Sequence, residues 1–264
     1  MDPVAIDKAC LDLLYQSHDP KKQEDIDVLE KTASNESNNQ DQSNGRYVSF
    51  TNSVVGFERL YKDEVGDPPP FNHRVDLFFG ARPSKEQLKD AKDHGVELIV
   101  TPIGKEAFVF FVNENNPVDN LTLDQIRDIY SGKIHSWSEV GGPDKLITPL
   151  SRIKGSGSRT AMETVMNGEP IAHDLDAAFG KRIAYSFRFY AEGITNYGGI
   201  KILSINGVYP SVESIKDGSY PIASEFYAVY RADNTNPNIP IVIDWLLSDE
   251  GQELVEANGY VRVG

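Results

Sequence analysis

The 264-residue sequence is poor in the residues on which cross-links and metal sites depend. It has one cysteine, Cys10, so an internal disulfide cannot form. The five histidines are scattered, with no pair at metal-ligand spacing, and no Cys-x-x-Cys motif occurs. We therefore expect neither a structural disulfide nor a metal site, and no cofactor.

Basic residues are also scarce, since 26 Lys and Arg stand against 40 Asp and Glu and give a formal net charge of −14. A nucleic acid requires a basic surface, so we expect no nucleic-acid partner. A small anion is not excluded. A buried anion site depends on a few local donors, and distant surface charge is screened over about 8 Å at physiological salt.

Long hydrophobic runs are absent, so we expect no membrane-spanning helix. The chain also lacks a signal-peptide pattern, because Met1-Asp2-Pro3 is followed by a predicted amphipathic helix over residues 4–16. Residues 33–45 are almost entirely Ser, Asn, Gln and acidic residues, which predicts a mobile polar loop. Apolar residues make up 39% of the whole chain, which is sufficient for one large domain or two lobes.

Predicted strands and helices alternate along the chain, which indicates an α/β fold with a mostly parallel sheet covered by helices. Capping boxes, at Ser84 with Gln87 and at Thr122 with Gln125, predict two helix starts. Strands are predicted over 75–79, 96–100 and 107–112, with an interruption at 101–104, and Trp137 is placed in a loop. Further strands are expected over 183–187, 200–205 and 226–230, and helices over 211–216, 239–247 and 249–257.

The stretch that points most directly to chemistry is a flexible loop between an apolar run over 147–150 and a helix-like run over 160–166. Its glycines allow close backbone approach, its serines supply hydroxyl groups and its arginines supply charge, which together make an oxyanion site at a helix N-terminus. The residues concerned are Arg152, Gly155, Ser156, Gly157, Ser158 and Arg159. The alternative is an ordinary N-cap loop. The loop is neither a Walker A sequence nor a dinucleotide fingerprint.

A second junction of this kind lies about a hundred residues earlier. A predicted strand over 46–50 leads through a turn that carries Ser53 into a predicted helix over 57–61. A plain helix cap is again the alternative. In α/β sheets, ligands bind beyond the carboxyl ends of strands, so the two junctions could face one cleft from different lobes.

From about Arg46 to the C-terminus the chain resembles the phosphate-binding proteins of phosphate ABC transporters. These proteins have the type 2 periplasmic-binding-protein fold, in which two α/β lobes close around an anion. The resemblance therefore implies mixed sheets with helices on both faces. The resemblance covers about four-fifths of the chain. The residues that carry it, in order, are 101–113 (TPIGKEAFVFFVN), 129–134 (IYSGKI) with Trp137, 152–158 (RIKGSGS), 183–190 (IAYSFRFY), 220–227 (YPIASEFY) and 248–252 (SDEGQ).

The resemblance implies particular anion ligands. In the family an Arg followed by Gly-Ser-Gly-Thr holds the anion, and this maps to Arg152, Ser156, Gly157 and Ser158, with serine in place of threonine. A first-lobe serine of the family maps to Ser53.

Three departures from the family pattern are evident. The chain begins at Met1, where the helix after the family's first strand and Gly-Ser/Ala-Thr loop would start, so we expect that strand and loop to be missing. Near the position of an aspartate that accepts the proton of hydrogen phosphate the chain has Arg82, an additional candidate contact. A commonly acidic position in the anion loop is Lys154. We therefore expect weaker discrimination between phosphate and sulfate than in a site with a proton-accepting carboxylate.

The leading hypothesis is an extracytoplasmic solute-binding protein that captures inorganic phosphate for ABC-transporter uptake, with sulfate or another tetrahedral oxyanion as alternative ligands. By resemblance, residues 1–106 begin lobe 1, 107–224 form lobe 2 and 225–264 return to lobe 1. The expected partner is the transporter permease, and the protein is expected to be a monomer. Its location would be the periplasm or the cell surface, attached by an upstream signal or lipid anchor as a lipoprotein.

Two rival hypotheses come from different classes. A binding fold that no longer binds phosphate tightly would act as a sensor, adhesin or interaction domain. An enzyme would need a base beside the cleft serines, but no histidine lies near either loop in the sequence, and Cys10 is placed on an apolar helix face. We therefore expect no enzymatic activity.

Overall fold

The computed structural model describes residues 53–62, 75–172, 181–195 and 199–263. The predictions for the helix over 4–16, the polar loop over 33–45 and the strand over 46–50 lie outside these residues. The same holds for the expectation about a first strand and its loop.

Helices and strands alternate through much of the described chain. The helices are Ser53–Tyr61 (α1), Lys85–Asp93 (α2), Leu123–Tyr130 (α3), Gly157–Met166 (α4), Arg188–Thr195 (α5), Val212–Lys216 (α6), Asn238–Leu247 (α7) and Asp249–Ala257 (α8), with a 3-10 helix over Trp137–Val140. The strands are Leu77–Gly80 (β1), Leu98–Asn113 (β2), Asn120–Leu121 (β3), Ile147–Pro149 (β4), Lys181–Phe187 (β5), Ile200–Ile202 (β6), Ser204–Ile205 (β7) and Ala223–Arg231 (β8).

The main sheet is mixed, with the strand order β1-β8-β2-β5-β4 and with β6 also paired to β2. This confirms the mixed sheets that the family resemblance implied, whereas the mostly parallel sheet expected from the alternation of elements is wrong. Within the described residues, β2 pairs antiparallel with β5, β6 and β8, and β1 pairs antiparallel with β8, whereas only β4–β5 and β3–β7 are parallel. The physical reason is the length of β2, because one long strand collects partners that return to it from later parts of the chain.

The predicted interruption at 101–104 is also wrong, because β2 runs through it without a break. Pro102 lies opposite Tyr227 and Gly104 opposite Phe226, so the register shifts by one residue between them. This bulge accommodates the proline, which has no N–H group to donate to the sheet.

Strand β2 joins two lobes. Its residues 98–107 pair with β8, whereas residues 108–113 pair with β5 and β6. We call the parts packed around β1, β8 and residues 98–107 the first lobe, and those packed around β4, β5 and residues 108–113 the second lobe. The change of partner between Ala107 and Phe108 marks the crossing from one lobe to the other.

Helices cover both faces of the first-lobe sheet, as predicted. Successive residues of β8 point to opposite faces. Tyr227 and Val229 pack in a cluster with Phe57 of α1. Phe226 and Ala228 pack in a separate cluster against α7. The second lobe has a larger core that includes Phe108, Phe110, Tyr130, Trp137 and Tyr185.

The capping boxes form as predicted. Ser84 and Thr122 each accept a hydrogen bond from the backbone N–H three residues later, and the glutamine side chain at that third position accepts from the cap backbone N–H. The placement of Trp137 in a loop is wrong. A third capping box, Ser136 with Glu139, starts a 3-10 helix in which Trp137 is fully buried.

A buried carboxyl group lies at the crossing between the lobes. Glu106 is 4% exposed, pairs with Ser224 across the sheet and accepts a hydrogen bond from the Phe189 backbone N–H at 3.2 Å. Burial raises the pKa of Glu106 to about 7, although the Phe189 N–H and the charge of Arg188 act in the opposite direction. Arg188 compensates only in part, because its guanidinium already donates to Glu192 at 2.7 Å.

Candidate functional site

The loop between β4 and α4 is built as a helix N-terminus. Ser156 is the N-cap, and its Oγ accepts from the Arg159 N–H at 3.3 Å while donating to the Ile153 carbonyl at 2.9 Å. Because of this cap, α4 begins at Gly157 rather than at the predicted residue 160. Gly155 has φ +84°, a left-handed conformation that favours glycine. Both interpretations of the sequence, N-cap loop and anion cradle, are compatible with this geometry.

The donors of this loop are shielded from solvent. Ser156 and Ser158 are 7% and 6% exposed, and Gly157 is buried between them. The first backbone N–H groups of a helix have no partner inside the helix, and they lie at the positive end of its dipole. The N–H groups of Gly157 and Ser158 are in these positions, which suit a small anion.

The segment leading into the loop is fixed by buried side chains. The Tyr185 hydroxyl lies 3.1 Å from the Arg152 backbone nitrogen, which donates to it, and 3.3 Å from the Ser151 hydroxyl. Tyr185 is itself packed against Tyr130, with ring centroids 5.5 Å apart. Arg159 donates to the Ser151 hydroxyl and forms an ion pair with Glu163. Tyr185 belongs to the 183–190 stretch that carries the resemblance, but its contact with the loop was not predicted, because it lies on a separate strand.

The two arginines of the loop therefore differ in their surroundings. Arg159 is half-buried and is engaged with Ser151 and Glu163. The Arg152 side chain is exposed, although its backbone is held in place. Lys154 is exposed as well.

Residues of the first lobe lie directly against the loop. A Cβ atom built on Gly157 would lie 2.4 Å from the Ala81 Cβ and 3.3 Å from the Ser53 Oγ. The structure thus places Ser53 beside Gly157, which lies between Ser156 and Ser158 in the loop. Ser53 is the first residue of α1, not part of a turn before a helix at 57, so the predicted start of that helix is wrong.

A second contact between the lobes was not foreseen. The Gln87 Nε2 donates to the Gly155 carbonyl at 3.1 Å, across 68 residues of sequence. Charge also acts between these segments, since the pKa of the neighbouring Glu86 is lowered by its own backbone N–H, then by the Ser84 hydroxyl, and further by Lys154. The sequence identified Gln87 only as part of a capping box.

Arg82 lies near the cleft but faces another group. It is exposed, and its guanidinium carbon lies 6.0 Å from the centre of the Tyr227 ring. The Tyr227 hydroxyl donates to Glu225 at 2.6 Å, and burial together with this bond raises the pKa of Tyr227 to about 12. The residue that faces Gly157 is Ala81, which has no group to accept a proton.

Other site types find no support in the part of the chain that the structure describes. No group of three or more His, Cys, Asp or Glu residues there could hold a metal ion. Within the same residues, none of the helices has the length and apolar character needed to cross a membrane.

Comparison with known proteins identifies the family. The model of the PBP superfamily domain matches residues 27–250, which is most of the chain. The chain therefore belongs to the PBP superfamily, and it has that family's two-lobed α/β fold.

Two of the similar curated proteins have the same description. The chain is similar to the phosphate-binding protein PstS of Borreliella burgdorferi, with 24% identity over 238 residues that cover 83% of each protein. It is also similar to PstS of Staphylococcus epidermidis, with 28% identity over 208 residues that cover 71% of this chain and 63% of the relative.

Solved structures agree with the fold. One similar structure is a provisionally assigned phosphate ABC transporter substrate-binding protein from Clostridium perfringens, solved with bound phosphate. It is 28% identical, with a TM-score of 0.60, and the match covers 72% of this chain and 80% of the neighbour's chain. An ABC-type phosphate transport receptor from Vibrio cholerae is 19% identical with a TM-score of 0.59, covering 92% of this chain and 97% of its own. The second likeness concerns the fold alone.

Proposed function

We propose that this chain captures inorganic phosphate between its two lobes and presents it to the permease of an ABC transporter. The observation that carries the proposal is the position of Ser53 in the first lobe. Its Oγ lies 3.3 Å from where a Cβ on Gly157, at the N-terminus of α4 in the second lobe, would be. A hydroxyl and a set of unpaired helix N–H groups there approach one point from opposite sides. Relatives described as phosphate-binding proteins support the choice of phosphate.

The proposed roles of the site residues follow from their positions. The N–H groups of Gly157 and Ser158 and the Ser158 hydroxyl cradle the anion, and Ser53 donates from the other lobe. Ser156 shapes the loop as its N-cap, and its hydroxyl can turn from the Ile153 carbonyl to the anion. Arg152, exposed beside the loop, supplies the charge.

Arg82 is proposed as an additional contact, because it follows β1 directly beside Ala81, although here it lies over Tyr227. We also propose that the function is binding without catalysis. Of the histidines that the structure describes, the His94 ring contacts the Asp90 backbone carbonyl and the His135 ring lies beside Gly132, so both rings have neighbours other than the cleft serines. Nucleophilic catalysis would require a base within reach of such a serine.

We further propose that residues 1–106 and 225–264 form the first lobe and residues 107–224 the second. The change of partner along β2, between Ala107 and Phe108, and the start of β8 at Ala223 lie within two residues of these bounds and support them. Family resemblance supports a monomer, located in the periplasm or at the cell surface and held at the membrane by a segment upstream.

Isothermal titration with phosphate tests the proposed function. We expect saturable binding, which Arg152→Ala weakens by about tenfold or more, because a hydrogen bond to a charged group is lost. Arg182→Ala is the matched control, since it removes the same charge from an exposed position in the second lobe and should leave the affinity unchanged. A folded wild-type chain that gives no heat with phosphate would contradict the proposal and favour the sensor, adhesin or interaction domain.

Sulfate in the same titration tests selectivity. A site that leaves a buried hydrogen-bonding group unpaired can reject the wrong ligand by about 10⁴-fold. Ala81, which faces the loop, has no proton-accepting group that sulfate would leave unpaired. We therefore expect the affinity for sulfate to be lower than that for phosphate by much less than this factor.

A further inference from the structure

The lobes are connected at the anion loop by one amide side chain. Gln87 is the third residue of α2, in the first lobe, and Gly155 lies in the loop before α4, in the second lobe. The Gln87 Nε2 donates to the Gly155 carbonyl at 3.1 Å. Because donor and acceptor belong to different lobes, this bond exists only while the lobes are together.

The capping box holds the Gln87 side chain in place for this contact. Its Oε1 accepts from the Ser84 N–H at 2.8 Å, and its backbone N–H donates to the Ser84 hydroxyl at 3.1 Å. The amide oxygen is therefore fixed toward its own helix and the NH₂ group is turned outward. Little additional side-chain entropy is lost when the second bond forms, since the rotamer is already restricted.

The acceptor is equally well placed. Gly155 precedes the N-cap Ser156, and its carbonyl belongs to the turn that aims the N–H groups of Gly157 and Ser158. Holding that carbonyl fixes the orientation of the peptide groups that follow. A carboxylate in place of Gln87 could still accept from Ser84, but it has no N–H with which to hold Gly155.

We infer that Gln87 is a positioning residue for anion capture: it does not contact the anion but locks the loop against the first lobe in the closed form. The inference rests on the proposed function. Its consequence is kinetic, because a bond made only on closure slows release of the anion and leaves its capture largely unchanged.

The chain offers a matched control in its other glutamine capping box. Gln125 accepts from the Thr122 N–H at 2.9 Å and donates its own backbone N–H to Thr122 Oγ1 at 3.1 Å, as Gln87 does with Ser84. Its helix, α3, lies in the second lobe, where the Gln125 side chain is half-buried and bonds to Thr122 of its own cap. Gln87→Met and Gln125→Met therefore remove the same cap bond, and only the first also removes the contact between the lobes.

Release of radiolabelled phosphate, followed by rapid filtration, and equilibrium dialysis test the inference. Gln87→Met should release phosphate about three- to tenfold faster than wild type, as expected for one hydrogen bond, with a similar association rate. Gln125→Met should stay within about twofold of wild type, because it loses only a local cap. The two variants should have similar unfolding temperatures, so the difference in release cannot come from helix stability.

Gln87→Glu provides a second route if the methionine variant does not fold, since glutamate preserves the capping box. It should also release phosphate faster, and Gln125→Glu controls for the added charge. Suppose that wild type binds phosphate but a Gln87 variant releases it no faster than the corresponding Gln125 variant. The inference is then overturned, and the proposed function still stands. If wild type does not bind phosphate, the proposed function and the inference are overturned together.

Discussion

Gly157→Ala is expected to weaken phosphate binding by about a hundredfold. The added Cβ would lie 2.4 Å from the Ala81 Cβ, a distance that real Cβ atoms essentially never show, and 3.3 Å from the Ser53 Oγ. The lobes would have to stay apart at the point where both supply ligands to the anion. The backbone of Gly157 lies outside the left-handed region, so alanine is not strained there for conformational reasons. Titration with phosphate measures the loss.

The double variant Ala81→Gly with Gly157→Ala separates steric blockage from other effects. It removes the Cβ that the new methyl group meets and leaves the Ala81 Cα 3.7 Å away, an ordinary contact distance. We expect it to recover at least about tenfold of the lost affinity. If the Gly157→Ala variant binds phosphate with wild-type affinity, the lobes do not close in this way. The unfolding temperature of Gly157→Ala should not fall, because alanine is the better helix former.

Glu106→Gln is expected to remove a large pH dependence of stability. Burial raises the pKa of Glu106 from 4.5 to about 7 in the folded protein. Between pH 4.5 and about 7, Glu106 is therefore protonated in the folded state and ionised in the unfolded state. The free energy of unfolding consequently falls as the pH rises through this range. The cost at pH 8 is on the order of 3 kcal/mol, at 1.36 kcal/mol per pKa unit.

Glutamine keeps an oxygen that can accept from the Phe189 N–H, but it carries no charge at any pH. The variant should be more stable than wild type at pH 8 and similar to it near pH 4, as measured by urea unfolding across this range. Glu97→Gln, at an exposed position, is the control and should reproduce the wild-type dependence. Identical profiles for wild type and Glu106→Gln would contradict the account of the buried carboxyl.

The local features of the fold could be predicted because they depend on residues close in sequence. The two capping boxes with glutamine each form as a short pattern indicates. The loop around Ser156 was identified for the same reason, since a helix N-cap with flanking glycines is a local motif. The capping box of Ser136 with Glu139 follows the same local pattern, but it was not predicted.

Strand pairing and the contacts between the lobes could not be predicted in this way. The antiparallel partners of β2 are set by which distant segments return to it, and alternating elements gave no sign of that. Ala81 and Gln87 carry no recognisable motif for their contacts with Gly157 and Gly155, which depend on how the lobes dock. The family resemblance, by contrast, assigned Ser53 and the loop to one anion site from the sequence alone. In the structure Ser53 lies beside Gly157 of that loop.

A crystal structure of the chain grown with phosphate tests the central claim most directly. The account predicts one tetrahedral anion between the lobes, within hydrogen-bond distance of the Gly157 and Ser158 N–H groups and of the Ser53 hydroxyl. Closed lobes with no anion at that point, or an anion bound only elsewhere on the surface, would contradict it.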